Sequence, residues 1–331
     1  MTILEYRVLS RGRNGFSPLA RKKRAAVLVK TQTKVLHLIG FVVLLLIIVV
    51  MVGVSVWVTR GFALAIAHPV HLPVTGSPSE VGISAWQNVE FTADGLTLRG
   101  WYIPPTQPAP AVILVHGHGA NRLNVLPRAA WYAQRGYGVL LFDLRGHGAS
   151  DGDLTTLGYL ERADVVAAYN FLLQQPEIDP HRVLLHGESM GGAAVTRAAV
   201  ELPAVRGVIV EATFTTFEDN VAQGVRTSIG LPPFPFAPMI VFFGQQEVRA
   251  NLFDLRPIDQ IAQIAPRPLL IMHGERDPLL KVSNAQRLYA AAGEPKMLVL
   301  FPTAQHVGLF ENDPAFWTQS VSAYLDHLFG V

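Results

Sequence analysis

The part of this 331-residue sequence best equipped for chemistry is a serine set between glycines, Gly187-Glu188-Ser189-Met190-Gly191. Arg182-Val183-Leu184-Leu185-His186 before it reads as a buried strand, and Gly192-Ala193-Ala194-Val195-Thr196-Arg197 after it as a helix start. A serine on so sharp a strand-to-helix turn takes an unfavourable backbone angle, and the glycines leave room for strand and helix to cross. The turn lifts the hydroxyl above a sheet and offers the Met190 N–H to a developing oxyanion. A serine hydroxyl is a weak nucleophile until a base takes its proton and a third group orients that base. The candidate base is His306, in Phe301-Pro302-Thr303-Ala304-Gln305-His306-Val307-Gly308, just past the last predicted strand on a loop free to reach the sheet's edge. Asp277, in His273-Gly274-Glu275-Arg276-Asp277-Pro278, follows another strand and is the candidate acid, although an Asp-Pro step also reads as a plain turn or cap. Glu211, at the end of its own strand, competes for that role.

The second oxyanion donor belongs after the first parallel strand, in His116-Gly117-His118-Gly119, where the amide of His118 is the candidate. His116 and His118 as a metal-binding pair lack a carboxylate in the same loop. In Asp143-Leu144-Arg145-Gly146-His147-Gly148, Asp143 and Arg145 read as braces for loops beneath the site and His147 as a packing residue. Glu188 reads as a brace or a solvent-facing group.

The elements that must position these residues follow from hydrophobic patterning. Residues 88–92 and 96–103 read as antiparallel strands joined across Asp94-Gly95. Residues 111–115, 138–142, 183–185, 207–210, 268–272 and 297–301 are apolar on both faces, as buried parallel strands require. Helical spacing lies between them: Leu160, Ala163, Ala167 and Phe171 share one face, as do Trp317, Val321, Tyr324 and Leu328. The expected fold is α/β, an eight-stranded, mostly parallel, doubly wound sheet. Residues 214–262 break the rhythm, and four prolines between 229 and 243 argue against a regular helix there. This segment is expected to form a short apolar lid, with an ordinary connecting excursion as the alternative.

Half of the residues are hydrophobic and the mean hydropathy is +0.30, more than a soluble domain needs. The surplus sits in residues 35–58, almost uninterrupted hydrocarbon and long enough to cross a bilayer. Residues 1–36 carry nine Lys/Arg against one acid, while the remainder carries 18 against 24. This asymmetry predicts a basic cytoplasmic tail (1–34), a transmembrane helix (35–58), a linker (59–85) and an extracytoplasmic catalytic domain (86–331). The body is acidic, which argues against nucleic-acid binding. Ala65-Ile66-Ala67 has the form of a peptidase site, but the apolar run is too long for a signal core, so an uncleaved anchor is expected. The absence of cysteine excludes disulfides and thiolate zinc sites.

Taken together, the stretches around His116, Asp143, Ser189, Asp277 and His306 resemble the α/β-hydrolase superfamily. They are most similar to bacterial serine hydrolases grouped with serine aminopeptidases, monoacylglycerol lipases and membrane-anchored α/β-hydrolase-domain proteins. The resemblance covers about residues 86–330. It implies an eight-stranded sheet, a Ser189–His306–Asp277 triad, and oxyanion donors at Met190 and His118. No metal, nucleotide or other cofactor is expected, since no phosphate-binding glycine fingerprint follows a strand in the right context. Two departures stand out: the lid is short beside those of true lipases, and no propeller or acidic-pocket motif marks a dedicated peptidase. The expected activity is hydrolysis of carboxylic esters, lipid-like acyl esters included, with peptides and thioesters as alternatives. A membrane-tethered interaction module without catalysis is the reading from a different class.

Overall fold

The computed structural model describes residues 17–330; the first sixteen residues of the basic tail and Val331 lie outside them. Contacts divide the chain into residues 1–57 and Val58–Val331. In the first unit the described residues from Pro18 onward belong to helix α1 (Pro18–Ala67), and their large apolar side chains are exposed. By length and composition α1 can cross a membrane. Its helical geometry continues beyond the expected end of the span, so residues 59–67, assigned above to the linker, are helix. No breaker occurs until Pro69, and the residue preceding a proline is disfavoured in the helical region.

In the second unit, β1 (Gln87–Ala93) and β2 (Leu96–Ile103) form the expected hairpin, with Asp94 and Gly95 both at positive φ as a type I′ turn requires. Six parallel strands follow: β3 (Ala109–Val115), β4 (Gly138–Phe142), β5 (Ile178–Glu188), β6 (Gly207–Glu211), β7 (Leu269–Gly274) and β8 (Lys296–Phe301). The order across the sheet is β1-β2-β4-β3-β5-β6-β7-β8, with β2 antiparallel to β4. The expected eight-stranded α/β architecture is present. Ala111, Ile113 and Val115 of β3 pack into one hydrophobic layer, and Val112 and Leu114 into the other. Both faces are therefore covered, which is why these strands read as continuous apolar runs. On one side lie α3 (Glu161–Leu172) and α4 (Met190–Glu201); on the other lie α2 (Leu126–Ala133) and the terminal helix Pro314–Phe329. The chain order reverses between β3 and β5, so the carboxyl ends of these two strands form a crevice suited to a ligand.

Two expectations need correction. The fully buried face of α3 is Glu161, Asp164, Val165, Ala168, Tyr169 and Leu172, while Leu160, Ala163, Ala167 and Phe171 are half-buried. The helix is turned toward its acids because Glu161 and Asp164 each bind several donors. The terminal-helix face of Trp317, Val321, Tyr324 and Leu328 is buried as expected.

The prolines of the 214–262 segment also do not prevent a helix. After α5 (Phe217–Gly224), α6 runs Pro233–Val248. Pro232 precedes the helix, and Pro233 and Pro235 sit in its first turn, where no N–H is required. Pro238 would clash with the carbonyl four residues back, but that residue, Phe234, has ψ 131° and its carbonyl points away from the helix.

Candidate active site

Ser189 sits between β5 and α4 at φ 52°, ψ −115°, a conformation costing roughly 1–3 kcal/mol that the surroundings must impose. They do so by close approach. A Cβ on Gly187 would collide with the Gly191 carbonyl, and one on Gly191 with the carbonyls of Val115 and His116. The Ser189 N–H donates to the Glu211 carbonyl of β6 at 2.8 Å.

Ser189 Oγ lies 2.9 Å from His306 Nε2, and His306 Nδ1 lies 2.7 Å from Asp277 Oδ2. The structure thus brings together three side chains scattered over 117 positions of sequence. Gly274, at the end of β7, lets the His306 loop lie against the Asp277 turn, for a Cβ there would strike the carbonyls of Ala304 and Gln305. Backbone bonds Glu275 N to Phe301 O and Arg276 N to Ala304 O tie the two loops together. Asp277 Oδ1 accepts from the N–H groups of Leu279 and Leu280, both at 2.8 Å, so the turn expected from Asp-Pro is also present. Burial alone would push the Asp277 carboxyl up, but hydrogen bonds from His273 and His306 outweigh it and hold it at about 2. His273, whose Nε2 donates to the Leu280 carbonyl at 2.8 Å and lies 3.3 Å from Asp277, was not singled out from sequence. Its only signal was its place four residues before the acid.

Glu211 takes no part in this chain. Arg128 donates to both of its oxygens at 3.1 and 2.7 Å, and His186 Nε2 and Trp317 Nε1 each reach Oε1 at 2.8 Å. Burial opposes its ionisation, but Arg128 and His186 hold its carboxyl well below the usual range. The competing assignment of Glu211 as the acid is therefore corrected: its lone pairs are spent on a buried ion network beneath the elbow. Glu188 is not solvent-facing either. It is buried, 3.3 Å from Arg128 Nη2, and burial lifts its carboxyl to about 7 against the pull of Arg128.

His118 and Met190 line the same cavity as Ser189 and His306. The loop carrying His118 is braced from below: Gly119 N–H donates to His147 Nε2 at 3.1 Å, and His147 Nδ1 bonds the Arg145 carbonyl at 2.8 Å. Leu144 N–H donates to His116 Nε2 at 3.1 Å, and His116 Nδ1 bonds the Gly117 carbonyl at 2.7 Å. Burial keeps His116 and His147 neutral, the latter at about 3. Each ring is occupied by backbone groups and so is a brace rather than a metal ligand. Asp143 bridges Arg122 and the Ala149 N–H, and Arg145 pairs with Asp164 and Asp94, so both brace loops as expected.

The cavity over Ser189 measures about 310 Å³ and is walled mainly by apolar groups, among them Leu157, Phe214, Val221, Val225 and Ile240. None of the described residues lining it is acidic.

Residues 106–235 match the family model described as serine aminopeptidase, S33. The uncharacterized protein YfhR of Escherichia coli (strain K12) is 31% identical over 234 residues, 68% of this chain and 75% of that protein. The fold matches the Pyrococcus furiosus esterase Pf2001 with TM-score 0.67 at 24% identity, over 80% of this chain and 98% of that one. It also matches the Pyrococcus horikoshii acylaminoacyl peptidase with TM-score 0.56 at 18% identity, over 73% of this chain and 40% of that one.

The two buried acids are separable by substitution. Asp277→Asn lowers kcat on a hydrolysable substrate by about 10⁴ and also lowers the melting temperature, because the carboxylate held at about 2 stabilises the fold. Glu211→Gln acts mainly on the melting temperature; a reversal of these effects would reassign the acid.

Glu188 gives a pH signature. Unfolded, it ionises near pH 4.3; folded, it keeps its proton to about 7. The native state therefore binds more protons between these values, and this group's contribution to stability falls as pH rises through that window and is level above it. Glu188→Gln lacks the titration, so its melting temperature relative to the parent is higher at pH 8 than at pH 5. A relative melting temperature that is lower at pH 8 would contradict the assignment.

Proposed function

The chain belongs to the α/β-hydrolase superfamily, and on that premise we propose that it is a membrane-anchored serine hydrolase of acyl esters. The observation that carries this reading is the continuous hydrogen-bond chain from Ser189 Oγ through His306 to Asp277. His306 removes the Ser189 proton as the hydroxyl attacks the ester carbonyl, and Asp277 holds the imidazole and stabilises the imidazolium. The backbone amides of Met190 and His118 receive the oxyanion, His306 protonates the leaving alcohol, and water repeats the cycle on the acyl-enzyme.

Two features favour an ester over a peptide with a free amino terminus. The cavity is apolar, which suits an acyl chain. It also offers no carboxylate among its described lining residues, and an aminopeptidase needs one to hold the substrate's ammonium group. The span of α1 is the membrane anchor, and the basic residues before it keep the amino terminus cytoplasmic and the hydrolase domain on the opposite side.

Ser189→Ala in the full chain lowers ester turnover by about 10⁶ and abolishes labelling by a fluorophosphonate probe, with folding intact. Across a panel of esters and aminoacyl amides, the esters turn over faster. Wild-type turnover by Ser189→Ala, or preference for amides, would overturn the proposal.

A further inference from the structure

Part of the wall of the catalytic cavity comes from an unexpected element. Phe62 and Ile66, in the last turns of α1, line it together with Ser189 and His306. They follow Val58, the end of the apolar run, by four and eight positions on the same unbroken helix.

These turns are built into the hydrolase domain. Thr59, Ala63 and Ala67 recur at every fourth residue and are almost fully buried, and Ala63 and Ala67 belong to the main hydrophobic core. Their small size brings the helix close, and the intervening Phe62 and Ile66 are thereby carried to the cavity. The last carbonyls of a helix have no partners within it. Here the Ile66 carbonyl accepts from His118 Nε2 at 2.9 Å, and the Ala67 carbonyl accepts from the Thr155 N–H at 2.8 Å. His118 belongs to the loop proposed to hold the oxyanion, so the same turn that shapes the cavity also pins that loop.

We propose that the last two turns of the anchoring helix form the acyl-chain subsite, with Phe62 and Ile66 determining which chain lengths are accepted. The ligand is a single acyl chain of an amphiphilic ester. This inference rests on Ser189 acting as the nucleophile toward acyl esters. It makes the anchor a component of substrate selection rather than a tether, and cleavage after Ala67 would remove one side of the pocket.

The test uses the full chain in detergent micelles, with p-nitrophenyl esters from acetate through octanoate to palmitate. Ile66→Trp narrows the subsite: the ratio of kcat/KM for palmitate to that for acetate falls at least about tenfold. Phe62→Ala widens it and moves the preference toward longer chains. Phe62 is 37% exposed, so its truncation leaves the fold intact and decides the matter even if Ile66→Trp fails to fold. Equal scaling of all esters by Phe62→Ala, or an unaltered chain-length profile, overturns the proposal. Failure of the underlying reading looks different, because the parent protein then shows no Ser189-dependent turnover of any ester.

Discussion

The rim of this sheet depends on one steric constraint, the approach of α4 to β5 and to the end of β3 at distances that only glycine permits. Gly187 and Gly191 meet backbone rather than side chain, so no neighbour can yield to a Cβ. That contact forces Ser189 into a positive φ, and the Ser189 N–H bond to β6 locks the result to the sheet. The strain is local, while the compensation is spread over two strands and a helix. The same logic recurs at Gly274, where the absence of a side chain lets the loop bearing His306 lie on the turn bearing Asp277. Ser189, His306 and Asp277 thus arrive at one edge through backbone contacts that tolerate no added methyl group.

A second constraint lies beneath the first. Arg128, Glu188, Glu211, His186 and Trp317 form a buried ionic cluster below the elbow. Three carboxylates surround one guanidinium, the half-exposed Glu311 at 3.6 Å and the buried Glu188 and Glu211, and the two buried ones share it unequally. Glu211 receives both Arg128 bonds and is held ionised, while Glu188 keeps a raised pKa. Removing a partner from such a cluster strands a buried charge, which is strongly destabilising, so these residues are bound to one another whatever their effect on the reaction. Their contribution to the site is rigidity of β5 and β6, the two strands joined by the Ser189 amide.

Much of this was legible in sequence because it rests on short-range pattern. Double-sided apolar runs gave the parallel strands, Asp94-Gly95 gave the hairpin, and residues following strand ends marked Ser189, Asp277 and His306. What escaped depends on contacts across the sheet. Glu211 ends β6 and Asp277 lies in the turn after β7, equivalent places in sequence, and only the positions of Arg128, His186 and Trp317 show that the Glu211 oxygens are taken. The buried face of α3 was misread by one step because two acids point inward to satisfy donors that pattern counting assigns to solvent. The helix α6 was missed because prolines count as breakers regardless of their place, yet those here fall where no hydrogen bond is lost.

Residues 68–85 were the least legible, since a segment without periodicity gives no hint of a partner. Their placement follows from the need of buried or partly buried carbonyls and rings for polar company. His68 bonds the Asp153 carbonyl through Nδ1 at 2.7 Å and reaches Glu247 of α6 through Nε2 at 2.9 Å. His71 meets the carbonyls of Gly148 and Gly152, and Asn121 donates to the Leu72 carbonyl at 3.1 Å. These bonds bind the segment to the loops after β3 and β4, the same loops that His116 and His147 brace from below. Loops at the carboxyl edge are thus held from both sides, by histidines of the domain beneath and by the segment leading out of α1 above. A loop fixed in this way keeps its amides in place beside Ser189, so on the proposed mechanism it would lose less entropy when an oxyanion forms against them, and the segment leading out of α1 would act on turnover through that loop.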